Sequence, residues 1–301
     1  MTEPDRRNRS RLGALGALFS VLVVSVLGIL GPSAVAGAAT STTVFYLDLG
    51  ASVSVGVQPT SNAPQGQPTD RGYANRLVAL EAARGVTMQL TELGCPGEST
   101  TTMINGGDKC YQAPNNQLSN AIAFLSAHYG QTGLVTLDLG FNDVAPCLRG
   151  GLVDSACVSQ NLAILQRQLP QIITSLKQVA GPNVTFVGLN HYNPYLARSI
   201  IGAKGARFAS MSVTVIQQLN TVLERAYAAN SIPLANVVTA FSQNAPRSLA
   251  LRNGRPIPAN AVQACSLTWM CRMGRYGANL HPNNAGYEAI TDAIFAVLPK
   301  W

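Results

Sequence analysis

Charge is scarce in this 301-residue chain: 12% of residues are Asp, Glu, Lys or Arg, against 47% that are hydrophobic. So little charge and so much apolar content exclude a disordered chain, and 27 glycines with no triplet period exclude a collagen. Histidine is scarcer still, with three widely separated residues, and no two of the six cysteines form a CxxC pair. A zinc site therefore has no ligand set to build on, and no metal or organic cofactor is expected. There is no internal repeat, no low-complexity linker and no second periodic pattern. What basic excess exists, +7 overall, is scattered along the chain in residues such as Arg71, Lys109, Lys177 and Arg225. Single cations on a solvated surface give no reason to expect nucleic acid as a partner.

Part of the charge sits at the N-terminus. Arg6, Arg7, Arg9 and Arg11 precede an apolar run over residues 12–30, and the small residues AVAGAA follow at 34–39. This is the layout of a secretory signal, with cleavage expected near residues 36–39. An uncleaved anchor is the alternative, because the run is nearly long enough to span a bilayer. No cysteine ends the segment, which argues against a lipoprotein. Without residues 1–39 the chain keeps 17 basic and 12 acidic residues.

The cysteines agree with export. Cys95, Cys110, Cys147, Cys157, Cys265 and Cys271 all lie beyond the signal, and an even count in an exported chain reads as three disulfides with fifteen possible pairings. The sequence-adjacent choice, 95–110, 147–157 and 265–271, closes three short loops rich in Gly, Pro and Ser.

From residue 40 to 301 the pattern is one domain of alternating strands and helices. Strands are expected at 43–49, 88–93, 134–139, 184–189 and 237–241. Helical spacing covers 72–84, 117–128, 158–180 (bent near Pro170, which lacks an N–H), 206–230 and 284–297. Strands followed by helices of this length predict right-handed crossovers and an α/β fold: a three-layer α/β/α sandwich around a mostly parallel five-stranded sheet.

Ligands of such sheets bind beyond the carboxyl ends of the strands, where two stretches stand out, LGASVSVG (49–56) and LGFND (139–143). Ser52, just after the first strand, could present its Oγ and its own N–H to a cleft; Ser54 is its rival. His281, in NLHPNNAGY (279–287) and positioned by Pro282, is the natural base for a serine hydroxyl. Asn142 offers a side-chain amide, and Gly97, in CPGEST (95–100), offers a backbone N–H unobstructed by a side chain.

Ser, Gly, Asn and His in this order, in blocks after successive strands, resemble the SGNH (GDSL-type) hydrolases, over nearly all of the chain from about Tyr46 onward. LGASVS corresponds to the Gly-Asp-Ser block, Gly97 to the block II glycine, GFND (140–143) to the GxND block and His281-Pro-Asn to the histidine block. LGCPGEST (93–100), Cys147 and TWMC (268–271) are similar to the exported actinobacterial esterases and lipases. The resemblance implies a flavodoxin-like sandwich, Ser52 as nucleophile, His281 as base, and an oxyanion hole made of Ser52 N–H, Gly97 N–H and Asn142.

Two departures matter. Ala51 replaces the block's Asp, and no Asp or Glu occurs between Glu224 and Glu288, so no local carboxylate orients His281. Three substitutes are open: the backbone carbonyl of Ala278, which is favoured, the side-chain oxygen of Asn279, or an acid from another strand end. Asp48 and Asp138 each lie two residues before a block glycine in an otherwise apolar strand. They could meet and share a proton or a cation; backbone hydrogen bonding of each is preferred. The expectation is a secreted, monomeric serine esterase or lipase acting on small-molecule or lipid esters, touching membrane only through an uncleaved signal. Acetyl groups on envelope polysaccharide are a further substrate class, and Tyr192, Tyr195 and Phe141 are candidate wall residues. The competing expectation is an exported binding protein that keeps the fold with weak or no catalysis.

Overall fold

The computed structural model describes residues 42–243, 249–252 and 255–301. The expected signal segment, residues 1–39, lies outside them. No described helix is long and apolar enough to cross a membrane.

Five strands form the central sheet: β1 (Thr42–Gly50), β2 (Val86–Glu92), β3 (Gly133–Asp138), β4 (Val184–Leu189) and β5 (Leu234–Ala235), in the order β2-β1-β3-β4-β5. All are parallel. Helices cover both faces, which is why β1 and β3 read as continuous apolar runs. One face packs Phe45, Leu47, Leu49, Val135 and Leu137 against α2 (Thr100–Asn105), α3 (Gln117–Ala127), α5 (Ser155–Val179) and α6 (Ala203–Ala229). The other sets Val44, Tyr46, Leu134 and Val187 against α1 (Tyr73–Ala82), α7 (Val237–Ala240) and α9 (Asn284–Phe295). A four-residue helix, α4 (Phe141–Val144), leaves β3, and α8 (Ala259–Leu267) follows an antiparallel pair, β6 (Leu249–Arg252) and β7 (Arg255–Pro258).

Because β1 connects outward to β2 on one side and β3 flanks it on the other, the carboxyl ends of β1 and β3 flank the point where strand order reverses. There the crossovers part and leave a crevice. Ser52 follows β1 and Asn142 follows β3.

One expected element differs. Residues 237–241 are not the fifth strand: the Asn236 side chain accepts the Thr239 N–H and starts α7 there, and β5 needs only the two residues before it. The expected helix through Pro170 is present and runs from Ser155 to Val179, begun three residues earlier than expected by the Asp154 carboxylate, which accepts the N–H groups of Ala156 and Cys157. The three bridges are Cys95–Cys110, Cys147–Cys157 and Cys265–Cys271.

Candidate active site

Gly50 ends β1 with φ 146°, and a Cβ there would collide with the Asp138 carbonyl. Only glycine lets the chain turn this close to β3. The turn is clamped by Gln117 at the start of α3. Its Oε1 accepts the Gly50 N–H at 2.8 Å and its Nε2 donates to the Gly50 carbonyl at 3.0 Å. Beyond the turn Ser52 is half-buried and lines a cavity. Ser54 is fully buried and donates its Oγ to the Ala51 carbonyl at 2.7 Å, so of the two serines Ser52 alone faces the cavity.

Gly97 has φ 99° with open space around its Cβ position; here the backbone conformation, not crowding, calls for glycine. Its loop is fastened at several points. Cys95 is bridged to Cys110. The Glu98 carbonyl accepts from Asn142 Nδ2 at 3.0 Å, leaving that amide one free N–H. The Asp143 carboxylate accepts the Thr100 N–H and, at 2.5 Å, the Thr100 hydroxyl. Gln117 Nε2 uses its second hydrogen on Glu98 Oε2, 2.8 Å away. Glu98 is buried, and desolvation pushes its carboxyl up to about 8, with Asp108 beside it adding to the rise. These clamps, absent from the sequence reading, tie the ends of β1 and β3 to the Gly97 loop.

His281 stands on the loop before α9. Its Nδ1 lies 2.7 Å from Asn279 Oδ1, which also accepts the His281 backbone N–H at 3.0 Å. Asn279 Nδ2 donates to the Gln65 carbonyl at 2.8 Å. That bond orients the amide so that only its oxygen faces the imidazole, so Nδ1 carries the proton and Nε2 keeps its lone pair. Nδ1 is therefore served by the Asn279 side chain, not by the favoured Ala278 carbonyl. Ala278 itself turns the loop at φ 49°. The loop is held further by Tyr192, whose hydroxyl donates to the Leu280 carbonyl at 3.0 Å. Burial pushes the His281 imidazole down to about 4, so it is neutral at pH 7.

Ser52, Gly97, Asn142 and His281 line one cavity of about 340 Å³. Ala51, Val53, Pro96, Phe141, Tyr192 and Leu280 make its wall largely apolar, and Lys109 stands at it. Tyr195 sits behind the wall, stacked on Phe141.

Asp138 and His191 also reach this cavity. Nothing local in the sequence marked His191, a lone histidine after β4. Its Nε2 lies 2.8 Å from the Leu139 carbonyl, which can only accept, so Nε2 carries the hydrogen; Nδ1 lies 3.7 Å from Asp138 Oδ1. Burial raises the Asp138 pKa, partly offset by His191 and by the Ser54 N–H. The acid that reaches the cavity from another strand thus pairs with His191 rather than His281. Asp48 and Asp138 share a sheet face, but Asp48 is not backbone-bonded as preferred. Its Oδ1 accepts from the Tyr73 hydroxyl at 2.7 Å and from Thr136 Oγ1 at 2.5 Å. Its Oδ2 has no partner among the described residues, and burial holds the pKa well above the usual carboxylate range. Both facts fit a neutral, protonated acid. Among the described residues the one grouping of potential metal ligands is Cys95, Asp108 and Cys110, and its two sulfurs are joined to each other.

The sequence profile of the GDSL-like Lipase/Acylhydrolase family matches residues 49–289. No curated protein matches the chain. Among solved structures it is similar to an extracellular lipase from Streptomyces rimosus, with 18% identity, TM-score 0.52, and coverage of 85% of this chain and 100% of that one. It is also similar to phospholipase A1 from Streptomyces albidoflavus NA297, with 18% identity, TM-score 0.50, and coverage of 84% and 99%. At this identity the two structures speak for the fold.

Proposed function

Since this chain belongs to the GDSL-like Lipase/Acylhydrolase family, we propose that it is an exported serine hydrolase of carboxylic esters that works through an acyl-enzyme on Ser52. The observation that carries this reading is the convergence of Ser52, Gly97, Asn142 and a neutral, Nδ1-protonated His281 on one largely apolar cavity. Three disulfides support export, since such bridges persist in oxidising compartments, and the protein acts as a monomer.

In the first half-reaction His281 Nε2 takes the Ser52 proton as Oγ bonds to the ester carbonyl carbon. The carbonyl π pair moves onto oxygen. That oxyanion receives the Ser52 N–H, the Gly97 N–H and the free N–H of Asn142, dipoles already held in place before charge develops. When the tetrahedral centre collapses, the C–O bond to the alcohol breaks and the His281 proton goes to the leaving oxygen. Water then gives a proton to Nε2 and its oxygen to the acyl carbon. The carboxylic acid leaves, and Ser52 recovers its proton. Asn279 is neutral, so it fixes the tautomer without the charge stabilisation a carboxylate would give the imidazolium. The apolar wall suits lipid or short-chain acyl groups.

Hydrolysis of p-nitrophenyl acetate, butyrate and longer esters by the exported product tests this. Ser52→Ala and His281→Ala should lose at least about 10⁴-fold in kcat, and Asn142→Ala about 10²–10³-fold. A fluorophosphonate should label the parent protein and not Ser52→Ala. Equal rates and equal labelling across all variants would sink the proposal.

A further inference from the structure

A second, larger hollow of about 780 Å³ lies between the 150–153 loop and the start of α6. We infer that this groove docks the protein onto an anionic lipid surface. Arg198, Lys204 and Arg207 stand around a floor that includes Val153, Phe208 and Met211. None of the lining residues is acidic. Leu152 and Ile201 lie at its rim and are 70% and 62% exposed, among the few large apolar side chains so uncovered in the described residues.

The charge is local to this region. Between Asp143 and Glu224 the chain has six cations and a single acid, Asp154, and that carboxylate is occupied in capping α5. The groove is built on the chain segments that follow those lining the catalytic cavity. Its 150–153 loop leaves the end of β3 beyond Asn142, and Arg198 and Ile201 lie on the segment that leaves β4 beyond Tyr192. Three rings join the two: Phe141 lines the cavity, Tyr195 stacks on it at 6.2 Å between centroids, and Phe208, at the groove floor, meets Tyr195 edge-on at 5.2 Å.

Exposed aliphatic side chains beside cations match the two layers of a bilayer surface: Leu152 and Ile201 enter the acyl boundary while the cations meet headgroup phosphates. Nucleic acid fits less well, since the one aromatic ring of the groove, Phe208, is buried and cannot stack on bases. A two-fold contact with a second copy would set the three cations against their own images.

The test is sedimentation with vesicles, using Ser52→Ala protein so that no lipid is consumed. Vesicles containing phosphatidylglycerol should bind the protein, less so as salt rises, and more tightly than pure phosphatidylcholine vesicles do. An N-terminal segment, if retained, carries Arg6, Arg7, Arg9 and Arg11 and would itself favour phosphatidylglycerol, so the loss on phosphatidylglycerol vesicles from parent protein to groove variant is the readout. Replacing Arg198, Lys204 and Arg207 by Gln should weaken phosphatidylglycerol binding about fivefold per residue and about a hundredfold together. Leu152→Ser with Ile201→Ser should weaken it while leaving its salt dependence. The same substitutions made with Ser52 intact should leave p-nitrophenyl acetate hydrolysis unchanged, which shows that the fold survives. Equal binding to the two lipids, no binding to either, an unaffected triple variant, or stronger binding to a DNA oligonucleotide than to phosphatidylglycerol would each overturn the inference. Vesicle binding by a protein that hydrolyses no ester would refute only the catalytic proposal.

Discussion

His281, the proposed general base, has surroundings that disfavour its own protonation. Burial lowers its pKa to about 4, and its Nδ1 partner is the uncharged Asn279. The acid limb of kcat/KM should therefore lie near 4, below the range of an ordinary histidine. Asn279→Asp places a carboxylate against Nδ1, favours the imidazolium and should move that limb to higher pH. Asn279→Ala frees the ring to rotate and should lower kcat about 10–100-fold with little change in KM. A pH–rate profile of the three proteins on one soluble ester checks both. An acid limb at the same pH in the Asp variant would show that Asn279 does not govern the imidazole.

At the level of elements, the site depends on how three loops are tied together. Gln117 satisfies both backbone groups of Gly50 and reaches Glu98, so one side chain at the head of α3 sets the Ser52 turn relative to the Gly97 loop. Gln117→Ala leaves those buried groups without partners and should cost about 2–4 kcal/mol of stability. With the loops free to shift, kcat/KM should fall about 10–100-fold in protein that remains folded. Urea unfolding beside ester kinetics measures both, and full activity in Gln117→Ala would remove Gln117 from the positioning machinery. The same scale explains the misplaced fifth strand. Residues 237–241 (VVTAF) have β-branched composition, but Asn236 caps a helical turn there and the sheet is complete at Ala235; tertiary context overrides a weak local preference.

Across the described residues, carboxyls raised by desolvation dominate the titration, with His191 opposing the rise only at Asp138 and Asp143. Burial raises Asp48, Glu92, Glu98, Asp138 and Asp143 above their ordinary values. The folded state then holds protons that the unfolded chain releases from about pH 4 upward, so the stability these groups contribute is present at low pH and lost as pH rises through their folded values. His281 works in the opposite sense, since its folded pKa lies below its unfolded one and stability rises between about 4 and the usual histidine range. Glu98, lifted to about 8, should make the urea midpoint fall as pH rises from about 6 to about 8. Glu98→Gln should flatten the part of that fall near 8. A midpoint that rises over this range would contradict the assignment of neutral buried acids.

What the sequence determined by itself was local or serial: the strand and helix alternation, the glycine-marked strand ends, the order of Ser52, Gly97, Asn142 and His281, and the short loops that the cysteines close. Each is written in neighbouring residues or in chain order. The tertiary structure decided what depends on side chains distant in sequence. It chose Ser52 over Ser54 by turning one inward, and it held Asn279 against His281 through the Gln65 carbonyl. It brought His191, just beyond β4, beside Asp138, the last residue of β3. It also set the 150–153 loop beside Arg198, Lys204 and Arg207, three cations within ten residues of sequence, at one groove. Crossovers of a parallel sheet carry such residues to a common edge, and no local pattern records which of them meet.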